Sequence, residues 1–491
     1  CYIVVSEIAK NKTGKKKIVV ASILAALTMT ANIVTVEGAI PEGTRTDHLG
    51  LAIGTSSNSK SNQSIAIGYA SSAQAPGANP ENPATAVGAG ANANGVGAVA
   101  LGLSANATGA NAVALGGGSN GGTNKTEATG TRATAISFNA KASGSDSIAL
   151  GNATVASDEK AIAIGSDSKA TDVGTTALGR SSAATGASAT ALGSLASATG
   201  TLATAVGMQA SASGNESLAI GTTASATSGR SLAVGTNSKA TGATAVAVGS
   251  GSGGSGPLGF AGSLNSTAGV VNTNRTVNYA TTAEGDNAVA LGFYANAKNS
   301  GVAVGQRALA ATGGVAIGKG VLEDTGNNYA GGVVIGQDSA TLGPYSLAMG
   351  FNAFASGSTS MAIGHTVSAD GGFAVAMGRK VSASGTSTAI GHHATATNGG
   401  LAIGSQENDA SNDRTTASAK GAVAIGKNTK ATSEDAVAIG TNAQATRLNS
   451  VALGSGSTTA TGATNQGSAT INGITYNFAG ATGNPNMQVS V

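Results

Sequence analysis

The chain has 491 residues, of which 75 are glycine, none is tryptophan, 3% are aromatic and 10% are charged, with a formal net charge of +3. So few large apolar and charged side chains exclude an ordinary globular enzyme core, while the regular spacing of the apolar residues excludes disorder. The single cysteine, Cys1, excludes an intrachain disulfide, and a chain that opens on cysteine reads as a piece lacking its start.

Residues 1–39 read as an export signal region. Lys10, Lys12 and Lys15 to Lys17 precede an apolar run from Ile18 to Met29, the length of a signal-peptide core and short for a bilayer span. Ala31, Gly38 and Ala39 are the candidate cleavage points, with Glu37 unfavourable beside the last. This leader holds 5 of the 26 basic and 2 of the 23 acidic residues, so from Ile40 onward 21 basic residues face 21 acidic ones. No nucleic acid or anionic membrane is therefore expected as a partner of the mature chain. Residues 40–50 are a short N-terminal segment.

From residue 51 to 454 one phrase recurs. In Ala161-Ile162-Ala163-Ile164-Gly165 the bulky Ile162 and Ile164 alternate with the small Ala161 and Ala163, the pattern of a strand with two unlike faces. The closing glycine returns every 14 residues at Gly165, Gly179, Gly193, Gly207, Gly221, Gly235 and Gly249. The same position is held earlier by Gly68, Gly102 and Gly151 and at the end by Gly440 and Gly454. A fixed period of this kind marks a repeat architecture. The second half of the unit, Ser168-Lys169-Ala170-Thr171, alternates again and predicts a short second strand with Lys and Thr on a wet outer face. The reading is a parallel β-roll in which the bulky pair is buried within the coil and the alanine face packs against a neighbouring copy. Counting Ser137, which stands where a glycine should, there are 26 phrases; at about 4.8 Å per coil they make a rod of roughly 125 Å.

The phrases Ser64 to Gly68 (SIAIG), Ala112 to Gly116 (AVALG), Ala245 to Gly249 (AVAVG) and Ala436 to Gly440 (AVAIG) resemble the YadA-like head repeats of trimeric autotransporter adhesins. The resemblance spans about Leu51 to Gly454. It implies a left-handed roll, a homotrimer, and a noncatalytic adhesin at the surface of a Gram-negative cell that binds host matrix or cell-surface molecules or other bacterial cells. The segment Val4 to Lys10 similarly resembles the end of the extended signal-peptide region of large autotransporters.

Departures from the period are few. Extra residues fall before Gly88, Ser137, Gly336 and Gly426, and steps of 13 occur around Gly305, Gly318, Gly391 and Gly404. The largest insertion is residues 252–280; removing it aligns Thr281 with Ser238, Ala283 with Ala240 and Gly285 with Gly242. Within it Val270-Val271 and Val277-Asn278-Tyr279 are expected to pair as a small hairpin. Residues 455–491 read as the exit of the head toward a neck, with a hairpin or capping strand around Asn472-Gly473. No heptad stalk or membrane barrel follows before Val491, so the anchor is expected in a further C-terminal part.

Chemistry is not indicated. Two G-x-x-x-x-G-K spacings, Gly313 to Lys319 and Gly421 to Lys427, lack the following Ser or Thr of a phosphate loop, having Gly320 and Asn428. His48, His365, His392 and His393 read as exposed turn residues with no metal-site spacing. No catalytic group, cofactor or metal is expected. The six-residue beat of β-helix acyltransferases does not divide 14, and no Thr-x-Thr array suits ice binding. The candidate ligand contacts are the aromatics Phe260 and Tyr279 in the insertion and Phe293 and Tyr294 after Gly292; Tyr69 and Phe351 likewise follow repeat glycines. A structural spacer that displays another module is the alternative function.

Overall fold

The computed structural model describes residues 50–60, 63–75, 83–118, 124–252, 255–257, 276–278, 280–323, 331–405, 414–461, 468–477 and 489–491. The leader lies outside them. Among the described residues there is no helix, and 26 phrase strands stack in parallel, most of them followed by a shorter strand that stacks on its own kind. The phrase strand Ile162–Ile164 pairs with Thr176–Leu178 so that Ile162 meets Thr176, Ala163 meets Ala177 and Ile164 meets Leu178. Its companion Lys169–Ala170 pairs with Ala183–Ala184 in the same 14-residue register.

The faces of the phrase strand are the reverse of the sequence expectation. Ala161, Ala163, Ser168 and Ala170 are each fully buried within the single chain, and the alanines of all coils join in one continuous core. Ile162 and Ile164 point outward and are half-buried. The physical reason is the width of the coil. A loop of 14 residues with strands of three and two leaves an interior that four small side chains fill, and a larger aliphatic there would force the strands apart. The expected outer face of the short strand does hold, since Lys169 and Thr171 are exposed while Ser168 and Ala170 are buried.

Each turn is closed from inside. The Ser168 N–H and its Oγ–H both donate to the Gly165 carbonyl, at 3.2 and 2.9 Å. Where threonine takes this place it reaches forward instead: Thr154 Oγ1 donates to the carbonyl of Gly165 in the next coil at 2.8 Å, and Thr429 does the same to Gly440 at 2.6 Å. These interior hydroxyls are thereby satisfied by backbone, whereas the buried Ser217 Oγ and Thr341 Oγ1 are not. Two residues per coil, such as Lys160 and Asp167, sit near φ +57° and +58° without being glycine. The glycine is required where the phrase ends. Gly193 has φ +137°, and a Cβ there would lie 2.5 Å from the carbonyl oxygen of Gly207.

Between residues 315 and 392 the roll changes shape. The phrase strands Val315–Lys319, Val333–Gln337, Val375–Arg379 and Thr388–His392 continue through the glycine, and Leu347–Ala355 and Met361–Ala369 merge both strands of the coil into nine residues. Here Val321, Val367 and Val381 occupy the place of Ser168 and bring no hydroxyl to the glycine carbonyl. The outward column of the short strand also departs from the wet face expected, with Leu309, Leu322, Ala340 and Phe354 buried together.

The insertions leave the ladder intact. Val246 pairs with Val289 and Ala240 with Ala283, so the coil resumes after the 252–280 excursion in the register read from the period. Its hairpin differs from the expectation: Thr276–Asn278 pairs antiparallel with Ser255–Pro257, while Val270, Val271 and Tyr279 lie outside the described residues. An excursion that leaves and re-enters one turn must bring its two ends together, and these are the ends. At the C-terminus Ser468–Ile471 and Ile474–Asn477 form a hairpin around Asn472-Gly473, and Val489–Ser490 stacks on the last phrase strand. Exposed ion pairs join residues 14 apart, Arg132 with Asp146 and Arg230 with Glu216. The Arg132 hydrogen bond holds the Asp146 carboxyl below its usual range, but exposure keeps such pairs weak.

Gly193→Ala is expected to destabilise its coil by about 1–3 kcal/mol or more, since a side chain in this backbone region is strained even before the clash with Gly207. The converse case is Ser137, a non-glycine at φ +101° in the repeat-glycine position. Ser137→Gly should stabilise by about 1 kcal/mol, relief of strain exceeding the ~0.4–1 kcal/mol of added chain freedom. Native-state hydrogen exchange across coils 113–150 and 176–221 checks both; opposite signs at either site would contradict the assigned backbone role.

Candidate functional site

The outward residues of the phrase strands make the first surface of interest. In each coil two large aliphatic or threonine side chains stand one residue apart on the outer face, and the ladder stacks them in files along the rod: Ile148, Ile162 and Thr176 in one, Leu150, Ile164 and Leu178 in the other. Leu150, Leu178, Leu192 and Leu453 are 39–46% exposed. An apolar stripe of this length on a single chain is the mark of an association surface.

The second surface lies beside the stripe, where the strand continues past the glycine. Parallel pairing sets Lys319 against Gln337, Gln337 against Phe351, Phe351 against His365, His365 against Arg379 and Arg379 against His392. The rings of Phe351 and His365 stack with centroids 5.1 Å apart, and Arg379 Nη1 lies 3.4 Å from His392 Nε2. His365 Nδ1 is 3.1 Å from Thr366 Oγ1. The sequence alone predicts His365, His392 and His393 as exposed turn residues. In the structure Phe351, His365 and His392 belong to strands, and His393 is buried, its ring edge-on to His392 at 4.7 Å. His48 lies outside the described residues. The usable signal was that His365, Arg379 and His392 share one repeat position, directly after Gly364, Gly378 and Gly391.

The third surface is the foot of the large insertion. Phe293 and Tyr294 follow Gly292, their ring centroids 3.8 Å apart, and the Tyr294 hydroxyl is 2.8 Å from Ser252 Oγ at the start of the excursion. Phe293 is exposed, whereas Tyr294 takes φ +60° to turn toward the insertion. The structure thus brings two of the four candidate aromatics together; Phe260 and Tyr279 lie outside the described residues.

Among the described residues one carboxyl group lies inside the roll. Glu323 stands in the inward column between Ala310 and Thr341 and is fully buried. Its Oε2 accepts the Ala311 N–H at 2.6 Å, and Gly314 and Gly332 clear its space, since a Cβ at either would fall 1.9 or 2.7 Å from a carboxylate oxygen. Among the described residues no three His, Cys, Asp or Glu side chains cluster as a metal site.

This geometry agrees with the comparison to known families. The family described as YadA head domain repeat matches residues 49–71, 83–119, 128–196, 198–224, 226–252, 279–295, 330–353, 355–380 and 417–457. These segments make up more than half of the chain, which therefore belongs to the YadA head repeat family. That family points to a non-enzymatic adhesin of the trimeric autotransporter type, with the passenger exposed at the cell surface. No curated protein matches the chain.

Because Val246 and Val289 pair directly, deleting Ser252 to Ala280 should leave the roll closed and its melting temperature almost unchanged, surface loops costing little to close or remove. Calorimetry of the deletion checks this. A large fall in melting temperature would show that the contact between Ser252 and Tyr294 holds the coil.

Proposed function

We propose that the chain is the head of a homotrimeric surface adhesin that binds host extracellular matrix, cell-surface molecules or other bacterial cells through many weak, repeated contacts. In this reading residues 1–39 direct export, residues 51–454 form the adhesive rod, and residues 455–491 lead out of it. The observation that carries the proposal is the aliphatic stripe. Among the described residues the inward positions are already filled within one chain, by Ala, Ser or Thr in most coils and by Val321, Glu323, Val334, Val367 and Val381 in a few, yet the large aliphatics remain on the outside over the whole rod. Three stripes facing a common axis would remove them from water, and burial of a Leu or Ile side chain contributes roughly 1.5–3 kcal/mol. The assembly face is then the Ile and Val face, and the alanine face is the core of each protomer. A rod carrying many equivalent surfaces in three copies gains avidity from contacts that are individually weak.

Charged substitutions separate the two faces. Ile148→Lys, Ile162→Lys and Leu178→Lys together should convert the trimer to monomers in sedimentation, because cations on three successive coils would face the axis. Ala163→Glu should instead unfold its coil, as a carboxylate has no room or partner there. A trimer unaffected by the lysines would contradict the proposed face. Binding of the purified head to an array of glycans and matrix proteins tests adhesion itself, and a silent array with an intact trimer would favour a spacer that displays another module.

A further inference from the structure

We propose that the file Phe351, His365, Arg379 and His392, extended by Lys319 and Gln337, is a binding site for a linear sulfated polysaccharide. The inference rests on the adhesin reading and gives it a ligand chemistry. Parallel register places these six residues on six successive coils, one beside the next, so they form a single line along the rod at about the 4.8 Å spacing of paired strands. No acidic residue interrupts the line. Asp370 is instead engaged by the Ser356 hydroxyl, and Asp338 accepts from the Gln337 side chain at 3.1 Å.

The chemistry of the file suits a chain of sulfated sugars. Arg379 and Lys319 supply basic side chains, and the guanidinium offers a planar fork to a tetrahedral anion. The imidazoles of His365 and His392 each carry an N–H donor in any protonation state, and Gln337 adds an amide. Phe351 is 39% exposed and stacks on His365, leaving an aromatic surface for the apolar face of a sugar ring. These side chains stand on strands that run through the glycine, so they are held by the ladder as few turn residues are, which lowers the cost of ordering them around a ligand. A nucleic acid fits less well: it uses several free stacking platforms in succession, whereas here Phe351 and His365 stack on each other and His392 packs against His393. Three copies on a trimeric rod would present three such lines.

The test uses the purified trimeric head and heparin, with chemically desulfated heparin and single-stranded DNA as competitors, measured by surface plasmon resonance over a range of salt. Heparin should bind, desulfated heparin and DNA should compete poorly, and affinity should fall as salt rises. Arg379→Gln combined with Lys319→Gln should weaken binding about tenfold or more, the scale of one or two charge-assisted hydrogen bonds. Phe351→Leu should weaken it less, and Arg132→Gln, outside the line, should leave it unchanged. His365→Gln provides a second variant should the double substitution fail to assemble. The proposal is overturned if the head ignores heparin, if the line variants bind as tightly as the parent, or if DNA competes equally. It is also overturned if these variants dissociate the trimer, for the line would then belong to the assembly face. Loss of heparin binding in the variants with adhesion to matrix proteins intact would confirm the site while showing that the broader adhesion has other contacts. An adhesive head that does not bind heparin would sink this proposal and leave the adhesin reading standing.

Discussion

The interior of the coil is so narrow that small side chains fill it in most turns, with Glu323 admitted only where Gly314 and Gly332 clear its space, and the other features of the rod follow from that limit. A 14-residue turn with short strands closes around Ala161, Ala163, Ser168 and Ala170, and the same four positions are filled by Ala, Ser or Thr in most coils. The large aliphatics that an ordinary domain would bury are displaced to the outside, where in the proposed trimer the other two chains would cover them. Small interior groups also contribute little burial each, so the continuous parallel ladder carries much of the cohesion within a protomer.

The same limit explains where the sequence is strict and where it is free. The phrase glycine is fixed because a Cβ would strike the carbonyl of the next coil, as at Gly193 against Gly207. Two residues beyond it, the left-handed position takes Asp167, Leu195, Gln209 or Thr223 with similar φ values, because its side chain projects into solvent. Excursions likewise enter only between strands, and pairing resumes after each: Val113 with Thr134, Val315 with Val333, and Leu401 with Val423. Between residues 315 and 392 the phrase strands run on through the glycine and new outward positions join the ladder. The file of Phe351, His365, Arg379 and His392 lies on these longer strands.

Much of this was legible in the sequence. The period of the glycines fixed stacking and register, including the pairing of Ala240 with Ala283 across 42 intervening residues. Alternation in Ala161 to Gly165 established that the strand has two unlike faces, but alternation cannot say which face is inward. Habit places Ile inside. The corrective signal was present in the second strand, where Ser168 and Ala170 had already been read as inward: an interior that is small on one wall must be small on the other. The site was less legible. Its residues lie more than a dozen positions apart and share only their place after a glycine, and the repeat phrase reads alike whether that place is turn, as after Gly165, or strand, as after Gly350. The hairpin partner Ser255–Pro257 was missed because a Ser/Gly run carries no strand signal of its own.

Site-directed thiol labelling tests the inward assignment most directly. Cysteines are placed singly by Ile162→Cys, Ala163→Cys, Ile164→Cys and Lys169→Cys in a chain whose Cys1 is replaced by serine, and reactivity is followed before and after the assembly is dissociated under conditions that preserve β structure. The account predicts that residue 169 reacts in both states, that 162 and 164 react only after dissociation, and that 163 is protected in both. Reaction at 163 on dissociation, with 162 and 164 still protected, would contradict it, since alanine would then face the partner and isoleucine the core.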